Sequence, residues 1–185
     1  DKGCIILNLN QEQGYKVAII DKAGRGAEAS YWKDDFLQVK TCADDYNYTR
    51  NFLNVAKAYV TQQITEEFEV SKADQIDLLN KSVNYFKDNE RFVAEDFAAT
   101  VFEDDTVINS FNSFKQNMQT DGGLDMAEGF DINTTAVKKQ ARIFKSVLKL
   151  DKNFHIYIHG DRNLIEKCED DNGKKYYKIY FDKEE

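Results

Sequence analysis

The stretch Val137–Phe181, VKKQARIFKSVLKLDKNFHIYIHGDRNLIEKCEDDNGKKYYKIYF, decides the fold class. Around its centre apolar and polar residues alternate with a period of two, the mark of strands that bury one face. Pairing Leu150 with Phe154 across the loop Asp151-Lys152-Asn153 also sets Leu148 opposite Ile156 and Ser146 opposite Ile158. This register keeps apolar residues together, which favours it over a two-residue turn. The other face then carries Lys149 opposite His155, Val147 opposite Tyr157 and Lys145 opposite His159. A second hairpin is expected to turn at Asn172-Gly173, a strong short turn signal, and to return along Lys175–Phe181. Just before the first hairpin, Asn133 or Thr134 can cap a short helix, Ala136–Arg142.

Working outward, the chain opens with another expected hairpin of buried strands, Cys4–Leu9 and Tyr15–Asp21, around the polar loop Asn10–Gly14. A Gly/Ala loop, Ala23–Ala29, and an aromatic patch of Tyr31, Trp32 and Phe36 follow. The middle of the chain has helical periodicity. Tyr48, Phe52, Val55, Ala56, Tyr59 and Val60 share one face from Asp45 onward. Ser71 and Asp74 form a capping-box start for a helix carrying Ile76, Leu79, Val83 and Phe86. Asp104 or Asp105 can cap a third helix with the stripe Val107, Ile108, Phe111, Phe114 and Met118. Thr120–Gly129, with its Gly122-Gly123 pair, reads as a flexible linker. The expectation is a single α+β domain over residues 1–185. A mostly antiparallel sheet from the N- and C-terminal hairpins packs on a central group of three to four helices at about 45–119, with a linker at about 120–130.

Charge is distributed unevenly. Up to Asp131 there are 13 Lys and Arg against 24 Asp and Glu; from Ile132 onward there are 12 against 9. Within Lys138–Lys167, eight basic residues face three acidic ones. A basic stripe on a protein of pI about 4.9 is either a site for a polyanion or a partner of the protein's own acidic surface. The acidic remainder argues against avid nucleic-acid binding by the whole surface.

With 185 residues, 42% of them hydrophobic, the chain can bury a core, which excludes global disorder. The longest apolar run, Cys4–Leu7, is far short of a membrane span, and no secretory signal is visible. The start at Asp1-Lys2, without an initiator Met, points to a piece of a longer protein. Cys4, Cys42 and Cys168 are odd in number and widely spaced, so they read as free thiols in a reducing cytosol.

Other motifs are weaker. Gly24-Arg25-Gly26-Ala27-Glu28-Ala29 matches the glycine pattern of a dinucleotide turn, but the strand before it belongs to a hairpin and no adequate helix follows. His155 and His159 would converge on a helix; on a strand they stand about 13 Å apart, too far to share a metal. The acid pairs Asp34-Asp35, Asp44-Asp45, Asp104-Asp105 and Asp170-Asp171 fall in loops or at helix starts and read as solvated surface. No catalytic motif is present, and no cofactor or metal is expected. The remaining constellation is basic and aromatic: Lys138, Lys139, Arg142, Lys145, Lys149, Lys152, His155, Tyr157, His159 and Arg162. Interleaved cations and rings suit a surface that tracks a nucleic-acid backbone.

Three blocks, GAEASYWKDDFLQV at Gly26–Val39, FEVSKADQIDLLNKSVNYFK at Phe68–Lys87 and AVKKQARIFKSVLKLDKNFHIYIHGDRNLIE at Ala136–Glu166, resemble the C-terminal part of the bacterial nucleoid-associated family called NdpA, in its Bacteroidetes-type form. Members of that family are roughly twice as long, so the resemblance implies a missing N-terminal half. It also implies a non-enzymatic, cytoplasmic protein of the nucleoid that contacts DNA, directly or through DNA-bound proteins. A rival expectation is a protein-interaction or dimerisation module without direct DNA contact, in which the acidic segment Asp44–Met118 meets a basic partner and a homodimer forms.

Overall fold

The computed structural model describes residues 2–8, 14–21, 31–120, 123–142, 144, 147–158 and 161–184. Where one domain was expected, the chain divides into two compact units, Asp1–Cys42 and Ala43–Glu185.

The first unit holds the antiparallel hairpin of β1 (Lys2–Asn8) and β2 (Tyr15–Asp21), paired from Lys2↔Asp21 to Asn8↔Tyr15. Burial of these strands was expected, yet Ile5, Ile6, Leu7 and Ile20 are exposed. The run is apolar on both faces, and a lone two-stranded ribbon cannot cover both. Lys2 Nζ reaches Asp21 at 2.5 Å across the open end. The aromatic patch forms a π-helical turn, Tyr31–Phe36, in which Trp32 stacks on Phe36 with ring centroids 4.9 Å apart. The glycine pattern at residues 24–29 lies outside the described residues.

The second unit is built on helices whose starts follow from local chemistry. Asp44 caps α1 (Asp45–Ala58) by accepting from the Asn47 amide at 2.9 Å. The helical path continues through a π-helical turn, Tyr59–Gln63, and α2 (Ile64–Glu67). Ser71 and Asp74 form the expected capping box of α3 (Lys72–Asp88): Ser71 Oγ accepts from the Asp74 amide and Asp74 Oδ2 from the Ser71 amide. After α4 (Ala94–Phe102), Asp104 accepts from the amides of Thr106 and Val107 at the start of α5 (Asp105–Thr120). Three of the four acid pairs therefore supply caps or, at Asp170, a turn acceptor.

The core is aromatic. Phe52, wholly buried, touches Phe86, Phe92, Phe97 and Phe111, with ring centroids 4.1–6.4 Å away. Two three-residue strands close it: β3 (Arg91–Val93) pairs with β4 (Gly129–Asp131), and Phe92 stacks on Phe130 at 4.7 Å. Residues 123–130, expected to be part of a linker, are tied to the helices here. The Asn51 side chain donates to the Asp125 carbonyl, Met126 is buried, and Lys115 Nζ meets Glu128 at 2.8 Å.

Asn133 caps α6 (Thr134–Ala141), and its own amide donates to Thr49 Oγ1. The hairpin of β5 (Val147–Leu150) and β6 (Phe154–Tyr157) has the expected register, from Val147↔Tyr157 to Leu150↔Phe154. A short 3-10 turn leads to β7 (Ile165–Glu169), paired with β8 (Lys175–Ile179). Their connection places Gly173 at φ 79°, in the left-handed region that glycine enters at least cost. Ala73 and Ile76 of α3 join Leu148, Ile158 and Ile165 in a second small core.

The fold class is α+β, as expected, with antiparallel hairpins at both ends and helices between. A single sheet covered by helices was also expected, whereas the described strands form four separate two-stranded ribbons. In the second unit α3 covers Leu148, Ile158 and Ile165 of the C-terminal segment, while Phe154 and Ile179 of the same ribbons stay exposed.

Candidate nucleic-acid interface

α6 buries Ala136, Val137 and Gln140 and turns Lys138 and Lys139 to solvent, with Arg142 exposed at its C-terminal cap. Lys139 Nζ donates to the Tyr46 hydroxyl at 3.3 Å and sits 5.4 Å from the centre of that ring. Held there, the ammonium loses rotamer freedom but keeps its charge exposed.

The β5–β6 hairpin sorts its side chains by parity except at Phe154, which was expected on the apolar face opposite Leu150 and is exposed at the end of the ribbon. Leu148 is only 2% exposed and Ile156 packs beside it against α3. Lys149 and His155, directly opposite one another, and Tyr157, 66% exposed, occupy the solvent face. Lys152 extends from the turn, where Asp151 takes φ 49°. Lys145 and His159 lie outside the described residues.

Arg162 behaves differently. Its Nε donates to Asp74 Oδ1 at 2.7 Å, Nη1 to the Ile165 carbonyl, and Nη2 to Ser71 Oγ at 3.5 Å. The guanidinium thus fastens the start of β7 to the capping box of α3. Burial opposes ionisation of Asp74, but the Ser71 hydrogen bonds and Arg162 outweigh it and hold the carboxyl below its usual range.

Lys2, Lys33, Lys81, Lys115 and Arg162 each meet a carboxylate within 4.0 Å. Among the described residues, Lys138, Lys139, Arg142, Lys149 and Lys152 do not. These cations fall into two groups along α3. The α6 group lies near Phe86, with which Val137 and Lys138 line a shared cleft, while Lys149 and Lys152 sit on a hairpin whose opposite face, through Leu148, packs on Ala73 and Ile76. Ten helical residues separate those anchor points, about 15 Å at ~1.5 Å per residue.

The cleft was not foreseen from sequence. It measures about 440 Å³ and is lined by residues from the end of α3, the turn after it, Ile132 and the first turns of α6. Its sides come from segments more than forty residues apart, so no local pattern announces it. Among the described residues no helix is long and apolar enough to cross a membrane, and no group of three or more His, Cys, Asp or Glu is placed to hold a metal.

No curated protein and no solved structure matches the chain. The match that is found runs over residues 1–184 and agrees with the likeness read from three blocks of the sequence: the chain belongs to the family described as nucleoid-associated protein YejK.

Proposed function

We propose that this protein is a non-enzymatic, cytoplasmic component of the bacterial nucleoid that grips the phosphate backbone of DNA without reading bases. Lys138, Lys139, Arg142, Lys149 and Lys152 provide the charge, joined by Lys145 and His159 from the sequence reading. His155 and Tyr157 offer rings beside them. Arg162 positions the hairpins instead of meeting phosphate, because Asp74 already neutralises it. The observation that carries this reading is that Lys138, Lys139, Arg142, Lys149 and Lys152 are all exposed and none of them meets a carboxylate among the described residues, on a protein of net charge −8.

Anisotropy titrations of the full chain against duplexes of unrelated sequence test it. Five phosphate contacts predict a slope of log affinity against log salt near about −4.5. The double variant Lys138→Glu, Lys149→Glu should weaken every duplex about equally and flatten that slope by about two. Unchanged titrations would remove these residues from the interface. Capture of nuclease-resistant partners, or a dimer in light scattering, together with no duplex binding would instead establish the protein-interaction module.

A further inference from the structure

We propose that the cleft between the end of α3 and the start of α6 is a binding site for a guanine nucleotide. Its apolar floor is Phe86, Ile132 and Val137. The same lining includes Lys87 and Lys138, which carry ammonium groups, and Asp88 and Glu90, which carry carboxylates. All four are exposed, and none forms an ion pair among the described residues. Thr134 adds a hydroxyl. The Asn89 side-chain amide donates to the Tyr85 carbonyl at 2.9 Å, which leaves its own carbonyl as a further acceptor.

Both signs of charge in one cleft restrict the occupant. A plain anion meets two carboxylates, and a plain cation meets two lysines. The matching ligand has an anionic end, an end rich in hydrogen-bond donors, and a flat apolar body between them. Guanine presents N1–H and the N2 amino group side by side, two parallel donors that one carboxylate accepts together. Adenine presents one amino donor next to a ring acceptor, which a carboxylate repels. A phosphate on the same nucleotide takes Lys87 and Lys138. The cleft, about 440 Å³, is within the size range of small-molecule pockets. An amino acid could match the charges but would leave most of that volume and the apolar floor empty.

A second cleft among the described residues has no such free groups. Lined by Gln63, Glu67, Ser110, Ser113, Phe114 and Asn117, it contains one carboxylate. Glu67 already accepts from Ser110 Oγ and from Gln63 Nε2, each at 2.5 Å.

The nucleotide can be free in solution or an unpaired guanosine within a strand; the recognising chemistry is shared. The test uses the full chain and amide-resolved NMR titrations with GMP, AMP, inorganic phosphate and a thymine oligomer holding a single guanine. GMP, the oligomer or both should shift the Phe86, Ile132 and Val137 amides, at least tenfold more tightly than AMP or phosphate. Binding of GMP but not the oligomer identifies the free nucleotide as the source; the reverse identifies the strand. Asp88→Asn with Glu90→Gln should abolish the preference for guanine, and Glu90→Gln alone should weaken it, while duplex affinity stays unchanged. Equal binding of AMP, or no shift at these amides with either guanine probe, overturns the assignment. Because only Lys138 is shared with the proposed duplex contact, that failure would leave the backbone-contact reading intact.

Discussion

Replacing Leu148 with Ala should destabilise the second unit by about 3 kcal/mol, while replacing its neighbour Lys149 should cost almost nothing. Leu148 is 2% exposed and packs with Ala73, Ile76, Ile158 and Ile165. Truncation removes three carbons from a buried site, worth about 2.4 kcal/mol at ~0.8 per methylene. Partial collapse around the gap leaves ~40 Å³ unfilled, which adds about 1 kcal/mol at ~24 cal/mol per Å³. The Lys149 side chain points to solvent with no ion pair among the described residues, so its Ala variant should stay within about 0.5 kcal/mol. Urea unfolding followed by far-UV circular dichroism resolves the difference: at a slope of ~2 kcal/mol per molar urea, Leu148→Ala moves the midpoint by about 1.5 M. A one-residue slip of β5 would exchange the two faces and reverse the outcomes. Comparable losses in both variants, or a larger loss at Lys149, would refute the orientation of the hairpin and with it the basic face.

Two further perturbations probe the anchors. Asp74→Asn should cost about 1 kcal/mol at neutral pH, since it weakens the capping box and removes the partner of Arg162. The folded state holds the Asp74 carboxyl below its usual range, so its contribution is complete above the unfolded value of ~3.9 and is lost as pH falls through the folded one. The gap between wild type and variant in urea melts should therefore close below about pH 4; a gap that widens toward acid contradicts the assignment. At the Lys115–Glu128 pair, Glu128→Ala strands a buried ammonium (Lys115 is 8% exposed) and should cost about 1–2 kcal/mol. Lys115→Met removes that charge and should cost less, and thermal melts showing the opposite order would refute the argument.

Much of the fold was legible because it depends on near neighbours. Asp44, Ser71 with Asp74, Asp104 and Asn133 cap helices through contacts two or three residues along the chain. The alternation through Leu148, Leu150 and Ile156 specified the hairpin register because a slip would expose these residues, although Phe154 in the same pattern is exposed. β3 and β4 carried no readable signal. Each has three residues, and what joins them is the stack of Phe92 on Phe130, thirty-eight positions away. The same blindness affected residues 123–130: glycines suggested a linker, but Met126 is buried and the Asp125 carbonyl takes the Asn51 side chain, 74 positions earlier. For the candidate site, sequence named a set of cations and could not separate them, since Arg162 and Lys149 look alike in a string of letters.

From its letters alone this protein shows its class of architecture, its helix starts, the pairing of its central hairpin and the likeness to a nucleoid family, because each rests on short-range patterns or direct comparison of residues. Folding in three dimensions decided which charges remain available and where a cleft opens. Arg162 pairs its charge with Asp74, 88 positions earlier, and Lys138 gains Lys87, Asp88 and Glu90 as neighbours across a shared cavity. Coulomb forces and packing act over ångströms in space, and separation along the chain does not report that distance.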